Sequence, residues 1–152
     1  MSLETDFAMT RESLKGVQDE STYGGITSFM RRRYTRDLTG VDVAVLGVPF
    51  DLATTNRSGT RLGPRGIRTA SASLAWENQV QGWDFSPLEE LAIVDYGDCP
   101  FDAGTPEKVP EQIYQQAKAI LATDTALLSM GGDHFVSYPL LRAHAEKYGP
   151  LA

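Results

Sequence analysis

Thr125-Ala126-Leu127-Leu128-Ser129-Met130-Gly131-Gly132-Asp133-His134 carries an uncharged, mostly apolar run into two glycines, then an acid and an imidazole. Six such residues bounded by a glycine pair read as a β-strand with an abrupt end. Two earlier runs read the same way. Val41-Asp42-Val43-Ala44-Val45-Leu46-Gly47-Val48-Pro49 is nearly continuous and β-branched, the pattern of a strand buried on both faces of a parallel sheet. Leu91-Ala92-Ile93-Val94-Asp95-Tyr96 is the third candidate.

Helical segments lie between and after these strands. The stretch from Arg65 to Glu77 follows Gly63-Pro64, and Pro64 suits a first helical turn. From Pro110 to Ala122, the residues Ile113, Ala117, Ile120 and Leu121 fall on one helix face. Ser137 is placed to cap a helix running to Tyr148 and closed by Gly149-Pro150, with Leu140, Leu141, Ala145 and Tyr148 toward the sheet. Strands alternating with helices predict an α/β fold, a three-layer sandwich around a mainly parallel sheet. Three strands are few for such a sheet, and Leu151-Ala152 reads as the first step of another. The sheet is therefore expected to be incomplete at its C-terminal end, with 23–152 the N-terminal part of one larger domain. Residues 1–22, polar and aperiodic, read as an N-terminal arm.

Composition narrows the function classes. The chain has 152 residues, 41% hydrophobic and 22% charged, with 14 basic against 20 acidic side chains and a net charge of −6. That balance argues against nucleic acid or a membrane surface as partner and leaves room for a cationic small molecule. One cysteine, Cys99, excludes an internal disulfide framework and a Cys-rich zinc site and fits a reducing compartment. With no secretory signal and no apolar run near the roughly 18 residues that span a bilayer, a cytoplasmic location is expected.

Ligands of parallel α/β sheets bind beyond the carboxyl ends of the strands. There, Gly131-Gly132 is expected to turn the backbone through positive φ and present Asp133 and His134. A neutral imidazole is a common metal ligand, and a neighbouring carboxylate can orient it. A purely structural histidine is the competing reading. Asp95 and Asp98, three apart on one strand, are expected on opposite faces as turn and capping residues. Cys99 has no base beside it in sequence and reads as packing, and His144 reads as a helix-face residue. Arg61, Arg65 and Arg68 fall at i, i+4 and i+7 and are expected to form ion pairs inside the fold or across a subunit contact. Arg31-Arg32-Arg33 reads as a solvated or interface-rimming run, with an anion site as the alternative.

Gly131-Gly132-Asp133-His134 after an apolar strand resembles the first metal-binding motif of the ureohydrolase family of arginases and agmatinases. Gly47-Val48-Pro49-Phe50-Asp51, followed by Arg57-Ser58-Gly59-Thr60-Arg61-Leu62-Gly63-Pro64 and Ile67-Arg68, is similar to that family's N-terminal signature. Ala75-Trp76-Glu77-Asn78 and Gly132-Asp133-His134-Phe135-Val136 lean toward the agmatinase type. The resemblance implies a hydrolase that converts agmatine to putrescine and urea with two Mn2+ ions, which lower the pKa of bound water. By position His134 becomes one manganese ligand and Asp133 a residue that supports it; no other catalytic residue is assigned. The family's remaining ligands, an Asp-Ala-His-x-Asp motif and a later Asp-x-Asp, do not occur here, so the 152 residues alone are expected to be inactive. Guanidinobutyrate or guanidinopropionate as substrate, and a truncated non-catalytic scaffold subunit, are the alternatives. Homo-oligomerisation as a trimer or hexamer is implied in the same way.

Overall fold

The computed structural model describes residues 6–17, 20–77, 82–102 and 104–151. Parts of the expected arm (1–5 and 18–19), Asn78 and Ala152 lie outside them. Three parallel strands, β1 (Val43–Val48), β2 (Ile93–Asp98) and β3 (Ala126–Gly131), form a sheet in the order β2-β1-β3. The helices are α1 (Phe7–Thr10), α2 (Gly63–Ser71), α3 (Pro87–Glu90), α4 (Val109–Leu121) and α5 (Ser137–Tyr148).

The central strand has the most apolar sequence because both its faces are covered. On one face Ala44, Leu46 and Val48 join Ile113, Ala117 and Ile120 of α4 and Leu140 and Ala143 of α5 in one core. On the other, Val45, Ile93 and Met130 pack with Leu88 of α3, Phe29 and Met30. Sheet and helices thus stack in three layers, as the alternation predicts. On α5 the buried residues are Pro139, Leu140 and Ala143, whereas Leu141 and Tyr148 are exposed, contrary to the expected face. A short 3-10 turn, His134–Val136, precedes α5; Asp133 caps that turn, its carboxylate accepting the Phe135 N–H, while α5 itself follows Val136 with no side-chain cap, so Ser137 does not serve as one.

The expected helix from Arg65 to Glu77 begins earlier, at Gly63, and gives way to a 3-10 turn over Ala72–Leu74. Arg61 sits in a separate 3-10 turn, Thr60–Leu62, so the three arginines do not share one helix face. Two of them do make internal ion pairs: Arg61 with Asp51, and Arg68 with Asp95 and Asp98.

Strand β2 departs from regular pairing. Val45 is opposite Asp95 and Leu46 opposite Gly97, which leaves Tyr96 as one extra residue in a bulge. Gly97 has φ +84°, and a Cβ there would collide with the Tyr34 ring. The extra residue resets the alternation, so Asp95 and Asp98 turn to the same side. This corrects the expectation of opposite faces. Both meet Arg68: Nε and Nη2 donate to Asp95 at 2.7 and 2.9 Å, and Nη1 to Asp98 at 2.6 Å.

The basic run is also placed differently from expectation. Arg31 and Arg32 are buried, and Arg33 alone of the three is exposed. Arg31 pairs with Glu20 at 2.8 Å, and Arg32 and Arg11 both donate to the Gly16 carbonyl, at 2.7 and 2.9 Å. These bonds offset the cost of taking guanidinium groups out of water. Burial, then the neighbouring Arg11 charge, lowers the Arg32 pKa to about 10.

Candidate functional site

The ends of β1 and β3 are tied into one unit at the carboxyl edge of the sheet. The Gly132 N–H donates to the Val48 carbonyl at 3.2 Å and the Asp133 N–H to the Phe50 carbonyl at 2.8 Å. The Asp133 carboxylate, 8% exposed, accepts the Ala53 N–H on one oxygen (2.9 Å) and the Phe135 N–H on the other (3.0 Å). One acid therefore fixes both the loop leaving β1 and the turn that carries His134.

Neither glycine of the pair has positive φ. Their smallness serves close approach instead: a Cβ on Gly132 would overlap the Phe50 carbonyl and lie 2.7 Å from the Val48 carbonyl. A Cβ on Gly131 would make a tighter than ordinary contact, 3.1 Å, with Val136 Cγ2. The two strand ends can pack backbone to backbone only because no side chain intervenes.

The loop after β1 is closed by a second buried acid, Asp51, which the sequence reading left without a role. It accepts the Gly59 N–H at 2.6 Å, the Arg61 N–H at 3.2 Å and the Arg61 Nε at 2.6 Å. Hydrogen bonding from the Arg61 side chain holds its carboxyl at about 2, burial opposing, with the Gly59 and Arg61 amides adding to the effect. Asp51 and Asp133 together pin a polar loop whose residues 55–58 are all exposed. Nothing local marked Asp51, since its partners lie eight to ten residues on.

His134 is exposed at the tip of this unit, its Nδ1 3.5 Å from the Ser137 hydroxyl. His144 is half-buried on α5 and its Nδ1 bonds the Leu140 carbonyl at 2.8 Å, a helix-face role. Cys99 is buried, and desolvation raises its thiol to about 12, which suits packing rather than nucleophilic attack. Among the described residues no three His, Cys, Asp or Glu side chains converge on a point. His134 is thus a single exposed donor, and Asp133 spends both oxygens on backbone amides. Two divalent cations need several carboxylates to offset their charge, so these residues do not by themselves fit a two-metal centre.

A cleft of about 320 Å³ opens elsewhere, lined by Thr27, Tyr34, Arg65, Arg68, Thr69 and Asp98. Its Arg68 is held cationic by Asp95 and Asp98, whose bonds outweigh a burial that acts the other way. Most of the cleft's charge is thereby cancelled within the fold.

Against known proteins, the model of the arginase family matches residues 41–152. The chain is 56% identical over 148 residues to an agmatinase of Chromobacterium violaceum, covering 97% of this chain and 46% of that one. Among solved structures, a hypothetical agmatinase from Burkholderia thailandensis superposes with a TM-score of 0.91 and 54% identity, over 98% of this chain and 47% of that chain. The proclavaminate amidino hydrolase of Streptomyces clavuligerus follows at 0.74 and 33%, covering 87% and 43%. The chain spans about half the length of the relatives it matches. Among the described residues no helix is long and apolar enough to cross a membrane.

Proposed function

This chain belongs to the arginase family, and on that premise we propose that it forms the N-terminal part of a manganese-dependent agmatinase. The whole protein hydrolyses the guanidinium group of agmatine to putrescine and urea. Residues 23–152 contribute one half of the catalytic α/β domain, with 1–22 as an N-terminal arm. The observation that carries the reading is His134, exposed at the carboxyl end of β3 on a turn fixed by Asp133.

In this reading His134 is a manganese ligand and Asp133 a positioning residue that acts through the backbone of the His134 turn. The remaining donors come from the half that the relatives possess and this chain does not span. The substrate is a small cationic guanidino compound, which an acidic protein attracts. Nucleic acid and membrane are not partners; the whole protein is a cytoplasmic homo-oligomer, a trimer or hexamer.

The test joins this chain to the half of the C. violaceum agmatinase that it does not match. Urea release is then measured with Mn2+ on agmatine, guanidinobutyrate and arginine. We expect agmatine to be preferred, and His134→Asn to weaken Mn2+ binding and activity by at least about tenfold. Urea from none of the three, or metal binding indifferent to His134→Asn, overturns the reading. Preference for guanidinobutyrate would reassign the substrate and leave the reaction class intact.

A further inference from the structure

The cleft of about 320 Å³ lined by Thr27, Tyr34, Arg65, Arg68, Thr69 and Asp98 stands apart from the site at His134. Asp98 ends β2 and His134 follows β3, and these strands lie on opposite sides of β1. Three backbone features shape the cleft. The bulge at Tyr96 turns Asp98 toward Arg68, and the bare Gly97, at φ +84°, leaves room for the Tyr34 ring. A Cβ on Gly47 would collide with the Asp98 carboxylate. Bulges re-aim side chains in this way beside binding sites.

The charges of the cleft are divided between both signs. Arg68, 6% exposed, already meets Asp95 through Nε and Nη2 and Asp98 through Nη1. One N–H on each of its Nη atoms is left over. The Asp98 side chain is 47% exposed, and one of its oxygens is taken by Arg68. Among the described residues, the second Asp98 oxygen, the exposed Arg65 guanidinium and the Thr27 and Tyr34 hydroxyls have no hydrogen-bond partner. Arg65 comes from α2 and Asp98 from β2, so the free cation and the free carboxylate oxygen are carried by different elements.

We propose that this cleft binds a small zwitterion of amino-acid size, its carboxylate on Arg65 and the spare Arg68 N–H groups and its ammonium on the free Asp98 oxygen. A ligand with only a carboxylate faces Asp98 as an unscreened like charge, and one with only cationic groups faces Arg65 and Arg68. Agmatine, cationic at both ends, is therefore the wrong charge type for this cleft. The volume lies at the low end of ligand cavities, roughly 300–1,000 Å³, which suits an amino acid and excludes a nucleotide. The Thr27 and Tyr34 hydroxyls add neutral donors beside the charged groups.

The test titrates the chain with 4-aminobutyrate, whose charges sit at opposite ends, and with n-butyrate and n-butylamine, each lacking one of them. Calorimetry at constant ionic strength and neutral pH measures affinity, and the Gly97 and Thr69 amide resonances report where binding occurs. We expect 4-aminobutyrate to bind at least about tenfold more tightly than either analogue and to shift both resonances. Arg65→Gln, at an exposed side chain with no partner to lose, should weaken it at least about tenfold and abolish its advantage over n-butylamine. Asp98→Asn should abolish its advantage over n-butyrate; should that variant unfold, the Arg65→Gln result decides alone. Absence of saturable binding, equal affinity for the three compounds, or binding indifferent to Arg65→Gln overturns the proposal.

Discussion

The two outer strands of the sheet have equal length, six residues each, and the same parallel relation to β1, but their free sides are treated in opposite ways. At β2 the chain itself covers the edge: the Asp95 N–H donates to the Arg33 carbonyl and the Thr35 N–H to the Asp95 carbonyl, at 2.9 and 3.0 Å. The Tyr96 bulge twists that edge, and Arg68 anchors two of its carboxylates to α2. At β3 there is no bulge, no charge and no covering segment among the described residues. Among the described residues, one edge of the sheet is thus locked ionically and the other is open and apolar.

The largest effect expected from breaking this asymmetry is at the lock. Asp95 is fully buried and, besides Arg68, accepts the Phe29 N–H at 2.7 Å and the Gly97 N–H at 2.9 Å. Arg68→Met strands that charge, and urea unfolding should show a loss of about 3–5 kcal/mol, as for other broken buried pairs. A loss below about 1 kcal/mol would mean that the backbone amides alone hold Asp95.

Next come two glycines near the carboxyl ends of the outer strands, Gly97 within β2 and Gly132 just after β3. Gly97→Ala combines an unfavourable φ with a collision at Tyr34, and Gly132→Ala drives a methyl into the Phe50 carbonyl. Each should lower stability by about 1–3 kcal/mol. Gly132→Ala should also loosen the loop after β1, read as faster exchange of the Ala53 amide; Gly97→Ala should leave that amide unchanged.

Acid acts on the β1–β3 end through Asp51. Its folded pKa, about 2, lies below the ordinary 3.8, so the stability it supplies is present above pH 3.8 and is lost as pH falls toward 2. Asp51→Asn should flatten that part of the pH–stability curve measured by thermal unfolding. The smallest effect is at the open edge. Leu128→Thr on this half-exposed side chain should change the stability of the chain alone by no more than about 0.5 kcal/mol. Val94→Thr, fully buried in β2, should cost several times more in the same assay.

All three strands and the three longest helices were legible because their signals are local. Periodicity alone places Ile113, Ala117 and Ile120 in the core, and the apolar runs locate β1, β2 and β3 to within two residues at every end. The errors arise where a distant residue decides. Tyr34 lies next to Gly97 across more than sixty residues of sequence, and the bulge there turns Asp95 and Asp98 to one side. Arg31 and Arg32 look solvated until Glu20 and the Gly16 carbonyl are brought to them by the fold. Gly131-Gly132 announced a special backbone, but whether it needed positive φ or close approach depended on where Phe50 lies. At the candidate site, His134 was readable from its motif, whereas Asp51 emerged only once the loop between residues 51 and 61 had closed on it.

The contrast between the two edges can be measured directly by amide hydrogen exchange of this chain alone. The Thr35 and Asp95 amides, bonded across the closed edge, should exchange slowly, while Leu127, Ser129 and Gly131 on the open edge should exchange at least about 100-fold faster than Leu128 and Met130 on the same strand. Equal protection along the whole of β3 would contradict it, because the outer side of that strand would then already be paired.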